Sequence, residues 1–229
     1  MRETERIFRM RASVIVFPGS NCDRDAMVAL EKVSGKKPNM VWHGDSVLPP
    51  SDLIVLPGGF SYGDYLRTGA MAAHSPITKE VVSAGKKGVR ILGICNGFQV
   101  LTETQLLPGI LLRNKSLKFV SQSVALKCVS NDSDFTRGYN TTDTLHIPVA
   151  HGDGNYFTDE ATLKKLEDSN RIAFRYTQNP NGAAHDIAGI FNESRTIMGM
   201  MPHPERANDP LLGSTDGNAL FKSLFESLS

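Results

Sequence analysis

The sequence is short of the features that mark most specialised protein classes. No apolar run approaches the roughly eighteen residues of a membrane span, so no membrane partner is predicted. The charged opening, residues 1–11, has no apolar core followed by a cleavage site, and reads as a short N-terminal extension rather than a secretory signal. With 25 basic and 24 acidic residues the net charge is +1, too balanced for a nucleic-acid footprint. Three cysteines, Cys22, Cys95 and Cys128, form an odd set without a Cys-x-x-Cys spacing. That fits free thiols in a reducing, cytoplasmic setting better than a disulfide framework or a zinc site. The six histidines contain no His-x-x-x-His pair, and no metal site is predicted. No Gly-x-Gly-x-x-Gly follows the first predicted strand, and no phosphate-binding Gly-x-x-x-x-Gly-Lys-Ser/Thr occurs anywhere. No repeat or low-complexity tract divides the chain. At 229 residues, 40% hydrophobic and 21% charged, it fits one globular domain over residues 12–229.

What is present centres on Arg90-Ile-Leu-Gly-Ile-Cys-Asn-Gly-Phe-Gln-Val-Leu101. Residues 90–94 read as a short apolar strand and residues 96–103 as the start of a helix. Cys95 joins them, with glycines at 93 and 97 that let the backbone turn sharply. Such a turn thrusts the thiol out over the carboxyl end of a sheet. The adjacent helix N-terminus favours an anion there. Cys95 is therefore a candidate nucleophile; the plainer alternative is a buried cysteine at a strand end.

The first hundred residues alternate strand and helix around this run. Residues 12–17 form a first strand and 18–22 a turn. Asp23 or Asp25 can cap a helix that carries Ala26, Met27, Leu30 and Val33 on one face and ends at Gly35. Residues 40–43 and 52–56 are further strands, the latter apolar enough for burial on both faces. Residues 57–63 follow as a loop whose adjacent glycines, Gly58 and Gly59, free the backbone to approach a ligand. Residues 69–87 are helical, interrupted at Pro76. This order predicts an α/β fold with a mainly parallel central sheet flanked by helices. Ligands in such folds bind beyond the carboxyl ends of the strands, so the loops at 18–22, 57–63 and Cys95 should share one edge. Beyond Leu107 the pattern shifts to extra strands at 110–114, 119–129, 144–150, 171–177, 186–192 and 196–200, with a polar loop at 130–143. A terminal helix from about residue 215 carries Leu220, Phe221, Leu224, Phe225 and Leu228 as core.

A cysteine nucleophile needs a base, and the base needs an orienting partner. Met200-Met-Pro-His-Pro-Glu-Arg206 supplies both. Its prolines favour an extended backbone on which His203 and Glu205 can be held rigidly. An exposed proline-rich loop with a charged pair is the alternative for that segment taken alone. Cys22 and His151 compete for the two roles. Cys22 lacks flanking glycines, and no rigid spacing fixes a carboxylate near His151, although its glycine-rich turn can line the pocket. His43, His74, His146 and His185 read as surface or edge residues. The N–H of Asn96 is placed for an oxyanion hole, with a second donor from Gly58 or Gly59. These parts fit acyl transfer through a thioester.

The residues at 93–99 together with His203-Pro-Glu205 resemble the class I (triad-type) glutamine amidotransferases. The segments 17–25, 56–64, 150–156 and 203–206 look like those of glutaminase subunits in purine biosynthesis, and the likeness runs from residue 12 to the C-terminus. The resemblance implies a flavodoxin-like α/β domain that hydrolyses glutamine to glutamate and ammonia, with Cys95 as nucleophile, His203 as base and Glu205 as its orienter. It also implies that Gln99 contacts substrate and that Gly59 and Asn96 donate to the oxyanion. Ammonia would pass to a large synthetase subunit, with a small accessory subunit in the complex. There it would convert formylglycinamide ribonucleotide to formylglycinamidine ribonucleotide. This chain would carry no cofactor, ATP and magnesium belonging to the synthetase. Two other readings remain at this point, a free-standing cysteine hydrolase on the same scaffold and a non-catalytic binding module.

Overall fold

A computed structural model describes residues 10–64 and 66–228. Its first half runs β1 (Ala12–Val16), α1 (Asp23–Ser34), β2 (Asn39–Trp42), β3 (Leu53–Leu56), α2 (Ala70–Ala73), α3 (Pro76–Lys86), β4 (Arg90–Ile94) and α4 (Asn96–Glu103). The second half adds β5 (Ile110–Leu112), β6 (Val120–Cys128), β7 (Thr144–His151), β8 (Asn155–Phe157), α5 (Glu160–Asp168), β9 (Ile172–Tyr176), β10 (Ile187–Phe191), β11 (Ile197–Met200) and α6 (Asn218–Leu228). Nine strands form one sheet in the order β2-β1-β3-β4-β11-β10-β9-β6-β7, and β5 pairs with β8 in a separate ribbon. The first five in that order are parallel, and the other four extend the sheet antiparallel.

Burial explains the parallel half. Every residue of β3 is buried, as is β4 beyond its first residue. Each fully buried Leu, Ile or Val contributes about 1.5–3 kcal/mol, so a strand apolar on both faces is stable only between neighbours. The strand that matters most for the site is β11. It comes from near the C-terminus yet inserts beside β4, with Met200 opposite Ile94. Residues after Met200 therefore leave the sheet at the edge where Cys95 leaves β4.

Several elements differ from the sequence reading. Met10 is buried, and Arg11 donates from its backbone and guanidinium to Asp52 at 2.8–3.1 Å, so the packed chain starts before residue 12. Residues 1–9 of the predicted extension lie outside the described residues. Helix α1 is preceded by Cys22 rather than capped by Asp23 or Asp25, which sit in its first turn. The buried face of α1 is Ala26, Ala29 and Leu30, with Met27 off to one side. β8 and α5 were not anticipated. In α5 the Asp159 Oδ1 accepts the Thr162 N–H at 2.9 Å, and the buried face is only Leu163 and Leu166, too little apolar signal against a charged background. Among the described residues no helix is long and apolar enough to cross a membrane.

Candidate active site

Cys95 sits between β4 and α4 at φ 50°, ψ −105°. A non-glycine residue at positive φ is strained, and such strain persists only where the surroundings enforce it. Enforcement comes from the glycines, in a way the sequence reading did not foresee. They do not make the turn; Cys95 itself does. A Cβ on Gly97 would lie 1.9 Å from the Leu56 carbonyl oxygen, and one on Gly93 would lie 2.4 Å from Leu101 Cδ1 and 2.7 Å from the Gly97 carbonyl oxygen. The glycines let α4 press against the ends of β3 and β4. Gly97→Ala should therefore cost at least about 3 kcal/mol, the upper range for overpacking, because backbone rather than a flexible side chain blocks the methyl. For a chain of this size that lowers the melting temperature by about 6–12 °C. An unchanged melting curve would show that the helix can back away freely.

His203 emerges just past β11, its N–H donating to the Pro148 carbonyl at 2.8 Å. The chain then forms a 3₁₀ turn, Pro204–Arg206, instead of the extended run expected from the prolines. That turn brings Glu205 Oε1 to 2.6 Å from His203 Nδ1, with both side chains buried. Asn208 donates to the Glu205 carbonyl at 2.7 Å, and Arg206 donates to Asp25 Oδ2 of α1 at 2.9 Å, so the turn is clamped on both sides. Burial alone would depress the imidazole; the charges of Glu205 and Cys95, with help from Cys22, more than offset it and hold His203 well above its ordinary 6.5. A histidine raised in this way stabilises the fold fully below its unfolded value and loses that contribution as pH rises through its folded one. His203 Nε2 is buried without a geometric hydrogen bond, which leaves it available for proton transfer.

Cys22 lies closer to this dyad than its loop suggested. Its sulfur, a His203 ring nitrogen and a Glu205 oxygen all fall within 4.8 Å of one another. Burial pushes the Cys22 thiol up, against the pull of His203, so it stays protonated. The three donors suit a soft divalent ion, but an ion there would take the imidazole away from Cys95 and would oppose the dyad. Gly58 packs behind these groups, where a Cβ would lie 2.6 Å from His203 Cε1 and 3.2 Å from Cys22 Sγ.

In front of Cys95 is a pocket of about 310 Å³. Its walls include Gly59, Gln99, Ala150 and His151, whereas Gly58 is not in the wall. Gly59 has φ 143° and bridges to Ser20, which stitches the loop after β3 to the loop after β1. Asn96 is the first residue of α4, so its N–H has no intrahelical acceptor. The Asn96 side chain donates to Gln99 Oε1 at 2.8 Å, and Gln99 Nε2 donates to the Asp153 carbonyl at 2.8 Å, fixing the loop after β7. His151 is buried between Asn114 Oδ1 at 3.1 Å and Asn181 Nδ2 at 3.4 Å. Burial, and then the charge on His203, push it down to about 4, so it stays neutral. Asp64, Arg113 and Asp153 line the same pocket. Asp64 and Asp153 fall within the segments 56–64 and 150–156 that carry the family resemblance, which gives them no role, and Arg113 lies outside every motif.

The pattern of the CobB/CobQ-like glutamine amidotransferase domain matches residues 9–217. The phosphoribosylformylglycinamidine synthase subunit PurQ of Ruegeria pomeroyi is 58% identical, over 96% of this chain and 99% of its own length. Its Rhizobium etli counterpart is 50% identical, over 95% and 98%. The solved structure of PurLQS from Thermotoga maritima aligns at TM-score 0.88 and 44% identity, covering 96% of this chain and 100% of that one. A strained cysteine facing a buried histidine–glutamate dyad thus occurs in a chain related to these proteins over almost its whole length. The chain belongs to the CobB/CobQ-like glutamine amidotransferases and, within them, to the PurQ subunits of phosphoribosylformylglycinamidine synthase.

Proposed function

We propose that this chain, as one glutaminase domain that takes in the packed residues Met10 and Arg11, hydrolyses glutamine through a thioester on Cys95. The observation that carries the reading is the 2.6 Å His203–Glu205 pair, set by β11 beside the strained Cys95 turn. His203 takes the Cys95 thiol proton as the sulfur attacks the carbonyl carbon of the side-chain amide, whose C=O π electrons move onto oxygen. The resulting oxyanion is met by the N–H groups of Asn96 and Gly59, each worth about 2.7–4 kcal/mol of barrier. His203 gives its proton to the departing nitrogen, the C–N bond breaks and ammonia leaves. Water then attacks the thioester while His203 takes its proton, and the C–S bond breaks to release glutamate. Glu205 fixes the imidazole tautomer and stabilises its charged form. Gln99 holds the pocket wall against substrate.

Ammonia released into water would be protonated and lost, so this reading needs a partner over the pocket. The exposed rings of Phe60 and Phe119 lie 6.2 Å apart at its mouth, an apolar rim suited to being covered. The partner on this reading is a large synthetase subunit, joined by a small accessory subunit. That synthetase uses ATP and magnesium to convert formylglycinamide ribonucleotide to formylglycinamidine ribonucleotide, in the cytoplasm. An assay on glutamine with and without the synthetase subunit tests the assignment. Glutamate release that rises on assembly is expected. No release under either condition would point to a binding module, and equal release under both to a free-standing hydrolase.

A further inference from the structure

The pocket wall carries an acidic side chain with one oxygen left unpaired. Asp64 Oδ1 is buried without a hydrogen bond. Asp64 sits at φ 53°, on the strained side for a residue other than glycine, so its surroundings hold it there. Asp153 is near enough to repel it, and Asp153 Oδ2 is 4.0 Å from Arg113 Nη1. All three residues line the pocket in front of Cys95. The catalytic steps use none of them. A half-buried carboxylate close enough to feel a second one destabilises the empty protein, and burial followed by the charge of Asp153 pushes Asp64 up to about 6. A cation placed between the two would relieve both effects. Glutamine brings one on its α-carbon, away from the amide that Cys95 attacks, and beside it an α-carboxylate for which Arg113 is the nearby countercharge.

We propose that Asp64, backed by Asp153, receives the α-ammonium group of the substrate, so that the pocket selects an α-amino acid rather than any primary amide. The inference rests on the glutaminase reading of the same pocket. It makes Asp64 a specificity-determining residue, not a participant in bond breaking. The test compares glutamine with glutaramate, the same amide without the α-amino group, in the assembled synthase. The wild type should prefer glutamine strongly. Asp64→Asn, chosen because asparagine tolerates positive φ, should lower kcat/KM for glutamine roughly 10–150-fold, the range for a charge-assisted hydrogen bond. The loss should appear mainly in KM, and kcat/KM for glutaramate should stay level or rise. Asp153→Asn should shift the same preference in the same direction by less, which gives a second reading if the first variant folds poorly. An unchanged preference in both variants, or equal losses on both substrates, would overturn the proposal. A wild type inactive on glutamine in the complex would instead sink the glutaminase reading beneath it.

Discussion

Replacing Cys95 with alanine should abolish glutamine-dependent synthesis in the assembled enzyme while leaving synthesis from supplied ammonium intact. No other described group can take over. The Cys22 sulfur is held protonated behind the dyad, outside the residues that line the pocket, and His151 is neutral and engaged by two asparagines. In a serine hydrolase of the same layout, losing the nucleophile costs on the order of 10⁶ in kcat. The mutated side chain is nearly inaccessible, and its backbone N–H bond to the Met200 carbonyl at 2.8 Å does not depend on sulfur, so the fold should survive. Cys22→Ala is the matched control and should keep most glutaminase activity. Loss of ammonium-driven synthesis in Cys95→Ala, with the complex intact, would contradict the division of labour.

His203→Ala should be nearly as severe, because in the proposed mechanism one imidazole serves both half-reactions. There it protonates the leaving nitrogen and later deprotonates water, so neither acylation nor deacylation should proceed normally without it. The expected loss is again on the order of 10⁶, with Glu205→Gln costing less, about 10⁴, since an orienting partner is removed rather than the base. The glutamate substitution carries a further signature. Glu205 is the largest influence raising His203, with burial opposing it. Without that charge the imidazole should titrate lower, and the pH limb that reports it should move toward acid. Kinetics of the two variants across pH would show this; an unmoved limb in Glu205→Gln would mean that the carboxylate does not set the charge on the base.

The alternation of elements through residue 103 was legible because each carries its own local signal: apolar runs for β1, β3 and β4, glycine or proline at helix ends. The sharp turn at Cys95 was legible for the same reason. What could not be read locally was pairing. Nothing in Ile197-Met-Gly-Met200 states that it lies beside β4 rather than among the antiparallel strands, yet that choice brings His203 to Cys95. The roles of Gly93 and Gly97 were also hidden, since a glycine required by a neighbouring carbonyl looks in sequence like one required by a turn. The residues alone leave the second oxyanion donor open between Gly58 and Gly59; the family resemblance points to Gly59, and in three dimensions Gly59 faces the pocket while Gly58 faces His203. Asp64 and Asp153 lie on loops after different strands, and no spacing rule connects them.

Labelled glutamine, mixed with the assembled synthase and quenched in acid during steady turnover, would reveal the covalent intermediate directly. Peptide mapping of the trapped adduct should place a single glutamyl group on the sulfur of Cys95. A label on Cys22, on any other side chain, or on none while turnover continues would contradict the account.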